Sequence, residues 1–144
     1  MPRIAVLGLG RAGQALAREF VAAGLNLVGL WNRSERTVHK DLLSVPLHQG
    51  PQPPATLIES AQLLILAVHD SAITALASTL DLRPGTCVLH LSGALGVEAL
   101  GTLPNGVFGG GYHPLQSFRA DSGKAFPLPP YYLALEGCEE ALAQ

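Results

Sequence analysis

Cysteine is nearly absent from this sequence. Cys87 and Cys138 stand far apart and fit no motif spacing. That excludes a disulfide-stapled secreted scaffold and a thiolate metal knuckle. The setting expected is a reducing cytoplasm with two inert thiols. Charge is thin as well, at 14% of residues, with a formal net charge of −2 and a pI of about 6.2. No run of Lys or Arg forms a basic face, which excludes nucleic acid and acidic membrane surfaces as partners. No apolar stretch approaches the ~20 residues of a membrane helix. The run from Ile4 to Leu9 is too short, and too broken by glycine, for a signal peptide. Lysine occurs only at Lys40 and Lys124, neither of them at a predicted strand end.

Apolar residues (48%), 16 glycines and 11 prolines dominate the 144 positions. This is the composition of one turn-rich domain with a core. "RIAVLGLG" reads as a strand buried on both faces. "RAGQALAREFVAAG" follows it with Ala12, Leu16, Phe20 and Ala23 at helical spacing and Gly24 as a stop. "LNLVGLW" is a second strand, "SERTVHKDLL" a short helix capped by Ser34, "VPLHQG" a weak strand and "ATLIES" a helical turn. "AQLLILAV" is the plainest buried strand. After it come a helix over "DSAITALASTL" capped by Asp70 or Ser71, the strand "TCVLHLSG", a short helix over "GVEALGTL", and the strands "GVFGGGY" and "YYLAL". Short strands alternating with helices predict an α/β fold with a doubly wound, mostly parallel sheet. "CEEALAQ" opens a helix without a stop signal, so the chain is expected to be part of a longer protein.

"GLGRAG" sets Gly8, Gly10 and Gly13 in the pattern G-x-G-x-x-G between a strand and an amphipathic helix. In a dinucleotide-binding turn the first glycine permits the tight bend. The second lets a pyrophosphate approach, and the third lets helix and strand pack closely. Leu9, Arg11 and Ala12 complete a turn whose helix N-terminus offers amides to phosphate. Some 20 residues on, an NAD site wants an acidic residue for the ribose hydroxyls. Here Asn32, Arg33 and Ser34 stand at the tip of the second strand. Asn32 does not repel a 2′-phosphate, Arg33 brings a planar cation and Ser34 a hydroxyl; Arg36 is close by. NADP is therefore the expected cofactor. The alternative at this point is a solvated turn with a surface arginine.

In such a sheet ligands lie at the carboxyl ends of the strands. Ala67 and Val68, followed by His69 and Asp70, leave the fourth strand there; Ser92 and Gly93 leave the fifth; His113 and Gln116 leave the sixth. His113 precedes Pro114 and is held extended. It is either a proton donor, acceptor or substrate anchor, or a ring that bonds nearby backbone. His90 shares a strand face with Ser92 and is either catalytic or a satisfied core histidine. Cys87 and His90 point to opposite faces, so they make no zinc site. "HLSGALG" is not a nucleophile elbow. Tyr112 is followed four residues later by Gln116, not Lys, so the short-chain dehydrogenase pair is absent.

"IAVLGLGRAG", "LWNRS", "AVHDSAI", "HLSGALG" and "YHPLQSF", in this order, resemble the Rossmann-like family that carries domain of unknown function 2520. That family is similar to F420-dependent NADP oxidoreductases, pyrroline-5-carboxylate reductases and 6-phosphogluconate dehydrogenases. "HLSG" and "HPLQSF" are the most specific parts. The resemblance implies an NADP(H)-binding Rossmann domain over residues 1–144, with a helical C-terminal domain to follow that forms a homodimer and completes the cleft. It implies that Gly8, Gly10, Gly13, Asn32, Arg33 and Ser34 hold NADP, and that Ser92, Gly93, His113 and Gln116 face the nicotinamide and a small-molecule substrate. The implied reaction is hydride transfer between NADPH and a small carbonyl or imine, a 2-oxo acid such as ketopantoate being one candidate. A non-catalytic NADP(H)-sensing module is the alternative. Two features depart from the pattern: His69 stands where related enzymes often carry Pro, and "GGGYH" is unusually rich in glycine, which is expected to loosen that segment.

Overall fold

The structure is a computed structural model that describes residues 1–115 and 133–143. Gln116, Lys124 and the start of "YYLAL" lie outside the described residues. Seven strands form one sheet in the order β3-β2-β1-β4-β5-β6-β7. They are β1 (Ile4–Leu7), β2 (Leu27–Asn32), β3 (Leu47–Gln49), β4 (Leu63–Leu66), β5 (Cys87–His90), β6 (Phe108–Pro114) and β7 (Leu133–Gly137). Strands β1 to β6 pair in parallel, and β7 adds antiparallel to β6. The helices are α1 (Arg11–Ala22), α2 (Ala55–Ser60), α3 (Asp70–Thr79) and α4 (Glu139–Leu142). The sheet is doubly wound, as its alternating pattern predicts.

Alternation along the strands builds two cores, one on each face. Ile4, Val6, Leu30, Leu63, Ile65 and Leu89 meet Leu16, Ala17 and Phe20 of α1. Ala5, Leu7, Trp31, Leu64, Leu66 and Val88 meet Leu57, Ile58, Ile73 and Ala77 of α2 and α3. β1, β4 and β5 are buried at every position, as central parallel strands must be. A cavity of about 270 Å³, lined by Phe20, Leu63, Ile65, Leu89, Tyr112 and Ala141 among others, lies on the first face, away from the carboxyl edge. No helix among the described residues is long and apolar enough to cross a membrane.

Four expectations need correction. "SERTVHKDLL" is not a helix capped by Ser34: residues 33–39 are irregular, and only a 3₁₀ turn forms, at Lys40–Leu42, capped by His39. The Ser34, Arg36 and Thr37 carbonyls and the His39 amide are bonded by carboxamide side chains from outside the segment, not by one another. α3 has neither an Asp70 nor a Ser71 cap: His69 holds the cap position without a side-chain bond to the helix backbone, and Asp70 is the first helical residue. "GVEALGTL" shrinks to a 3₁₀ turn, Val97–Leu100. The glycines of "GGGYH" do not loosen it, since strand β6 runs through them to Pro114. A side chain at Gly110 would strike the Glu136 carbonyl of β7, so glycine is what lets the last strand dock.

Candidate functional site

The first strand delivers the glycine turn to the carboxyl edge of the sheet. Gly8 bends there with φ +106°, and a Cβ at this position would overlap the Ala67 carbonyl and lie 2.9 Å from Val68 Cγ1. Its amide donates to the Trp31 carbonyl at 2.8 Å. A Cβ on Gly13 would overlap the Gly8 carbonyl and lie 3.1 Å from Ala67 Cβ. Gly8 and Gly13 are thus demanded by packing, and Ala67 and Val68 are the atoms they pack on. Gly10 differs: a Cβ there has nothing within 4 Å. The open space in front of Gly10 is where the N-terminus of α1 points. The first intrahelical bond runs from Gln14 N to Gly10 O at 3.0 Å, and no side chain caps the helix. The amides of Arg11, Ala12 and Gly13 precede that bond and have no intrahelical partner.

The tip of β2 is tied to this turn. Asn32 Oδ1 accepts from Leu9 N at 2.9 Å, and its Nδ2 donates to Ser34 O at 2.8 Å. The same Nδ2 lies 3.4 Å from Ser34 Oγ, so the carboxamide ties the glycine turn to the backbone and hydroxyl of Ser34. Arg33, Ser34 and Arg36 are all exposed. Among the described residues neither guanidinium has an acidic partner. Two residues missed in the sequence act here. Gln14 Nε2 donates to Leu9 O and Thr37 O, both at 3.2 Å, while its Oε1 accepts from His39 N at 3.1 Å. Gln49 Nε2 donates to Arg36 O at 3.1 Å. The position of Gln14 directly after the third glycine was the only signal available.

At the other half of the edge, His90 is fully buried. Its Nδ1 accepts from Ser92 N at 3.2 Å and its Nε2 donates to Gly96 O at 2.9 Å. A backbone amide can only donate and a carbonyl only accept, which fixes the Nε2–H tautomer. His90 is thus a satisfied core histidine. Ser92 is buried too, and its Oγ accepts from Ala94 N and Leu95 N at 3.2 and 3.1 Å, so it closes the turn after β5. His113 is only half-buried, with Nδ1 directed at Leu91 O at 3.3 Å. The same rule makes Nδ1 the donor, and Nε2 remains for other partners. Gly93 lies against this ring: a Cβ there would overlap Nε2 and Cε1. The structure thus brings Ser92, Gly93 and His113 together, while His69 is exposed and bonds Ser71 Oγ at 3.1 Å.

Among the described residues two titrations are displaced, neither of them at the carboxyl ends of the central strands. The Arg18 guanidinium bonds the Asp41 carboxylate at 2.8 and 2.9 Å and holds its pKa below the ordinary 3.8. Burial, with a smaller contribution from Cys138, pushes the Cys87 thiol up to about 11, which makes it a poor nucleophile. No group of His, Cys, Asp and Glu among the described residues could hold a metal ion.

A glycine turn from the first strand, a helix N-terminus behind it and a mostly parallel sheet with β1 among its inner strands define the Rossmann class. The chain belongs to the Rossmann-like domain family, whose model matches residues 2–114. Solved structures share the fold. One is a Bacteroides fragilis protein provisionally named an NADP oxidoreductase, at 21% identity and TM-score 0.71, covering 98% of this chain and 53% of that one. Another is a semialdehyde dehydrogenase NAD-binding protein from Cupriavidus necator in complex with calcium and NAD, at 23% identity and TM-score 0.70, with coverages of 99% and 56%. A third is a reductive aminase from Aspergillus terreus in complex with NADPH and ethyl levulinate, at 19% identity and TM-score 0.61, with coverages of 81% and 42%. The chain spans about half the length of the first two, and at these identities the likeness is one of fold. No curated protein sequence matches it.

Proposed function

We propose that this chain is the dinucleotide-binding domain of an NADP(H)-dependent oxidoreductase. One observation carries the reading. At the tip of β2, where an acidic residue would hold the ribose of NAD, Asn32 is spent on Leu9 and Ser34 while Arg33, Ser34 and Arg36 stand exposed on a strand tip that is bonded to the glycine turn. The residues fit the cofactor. Gly10 leaves room for a pyrophosphate, the amides of Arg11, Ala12 and Gly13 would bind it, and Arg33 with Ser34 would take the 2′-phosphate. The quoted motifs support the narrower membership in the domain-of-unknown-function-2520 family as well.

The bound dinucleotide supplies or accepts hydride; the chain orients it and handles the proton. His113 is the group available for that proton, through Nε2, because Nδ1 is engaged by Leu91 O. Ser92 and Gly93 shape its surroundings; Gln116 follows three residues on. The substrate class is a small carbonyl or imine, such as a 2-oxo acid. Completion of the cleft and homodimer formation are assigned to a helical second domain. Calorimetry of this chain with NADPH, NADH and F420 tests the reading. NADPH is expected to bind most tightly. Absence of dinucleotide binding, or preference for NADH, overturns it.

A further inference from the structure

The segment that carries Arg33, Ser34 and Arg36 has no regular structure of its own, yet it is pinned at four points. The Ser34 carbonyl is held by Asn32 and the Arg36 carbonyl by Gln49; the Thr37 carbonyl and the His39 amide are both held by Gln14. Every anchor is a side-chain carboxamide. With the carbonyls turned inward onto these amides, the charged side chains are left on the outside. Gln14 does one thing more. It also holds the Leu9 carbonyl, while Asn32 holds the Leu9 amide. The peptide units on either side of Leu9 are thereby clasped, and the glycine turn and the strand-tip loop become one body. Irregular segments otherwise sample many conformations, and ordering them on binding weakens affinity.

We propose that Gln14 is a positioning residue that selects the cofactor: it fixes the 33–39 loop in advance, so that Arg33 and Ser34 meet the 2′-phosphate without an ordering cost. This rests on the NADP(H) reading above. Both ends of the carboxamide are needed. Gln14→Met keeps the length of the side chain and loses every bond. Gln14→Glu keeps the acceptor for His39 N but sets a carboxylate against the Leu9 and Thr37 carbonyls. Neither residue opposes helix at this position.

The test measures NADPH and NADH affinities of the wild type, Gln14→Met and Gln14→Glu, with amide hydrogen exchange at His39 in the free proteins. The preference for NADPH over NADH is expected to fall about tenfold or more in both variants. NADH affinity should fall by much less, because any loss at the glycine turn through Leu9 is common to both cofactors and only NADPH also loses a group for the loop to meet. The His39 amide, protected in the wild type, should exchange faster in Gln14→Met, which lacks its acceptor, and stay protected in Gln14→Glu. Equal losses for both cofactors, or an unchanged preference, overturn the selective role; a His39 amide indifferent to Gln14→Met overturns the clasp itself. A wild type without NADPH preference overturns the cofactor reading together with the selective role, and the exchange data still report the clasp independently.

Discussion

At the scale of single residues, the glycines of the turn divide by what surrounds them. Gly8 and Gly13 press on backbone, whereas Gly10 faces open space. Gly10→Val should therefore leave the domain folded by circular dichroism and abolish binding of either dinucleotide, because the side chain fills the room a pyrophosphate needs. Retained binding would make the turn purely structural. Arg33 makes the complementary case. A charge-assisted contact is worth roughly 1.5–3 kcal/mol, so Arg33→Ala should weaken NADPH by about 10- to 100-fold and leave NADH nearly unchanged. Parallel losses in titrations of the two cofactors would refute the assignment to the 2′-phosphate.

At the scale of elements, α1 is held at two points along its length. Its N-terminus is joined to the 33–39 loop through Gln14, and its middle to the 3₁₀ turn after that loop through the Arg18–Asp41 ion pair. The ion pair makes stability depend on pH with a definite sign. The Asp41 pKa is lowered in the folded state, so its stabilisation is present above the ordinary carboxylate value of 3.8 and is lost as pH falls through the lower folded value. Between about pH 6 and about pH 3 the thermal midpoint of the wild type should fall more than that of Arg18→Ala. Equal slopes in a calorimetric pH series would show that the pair contributes nothing.

At the scale of the whole molecule, a ligand that binds only the folded chain must stabilise all of it. NADPH at about 100 times its dissociation constant should add roughly 2.7 kcal/mol, which for a domain of this size raises the thermal midpoint by roughly 5–10 °C. NADH at the same concentration should raise it less. A scan in which neither moves the midpoint would mean that the carboxyl edge of the sheet binds no dinucleotide. The apolar cavity on the sheet face lies elsewhere, so occupancy there would not produce a NADPH-over-NADH difference.

The order of elements, the buried strands and the glycine turn were legible in the sequence because they rest on local rules. Apolar runs such as "LLIL" and "CVLH" must be buried on both faces, and the G-x-G-x-x-G spacing follows from the bend between a strand and a helix. Tertiary structure decided what depends on partners distant along the chain. "SERTVHKDLL" carries a serine cap and helix-compatible residues, yet carboxamides from α1, β2 and β3 take its backbone bonds and hold it irregular. The sequence left both His90 and His113 open between a chemical and a structural role. Burial and two backbone partners make one structural, and a half-open position against Gly93 leaves the other with a free nitrogen. A side chain's neighbours on other strands, not its place in the sequence, decide whether its polar atoms are spent on the fold or left for a ligand.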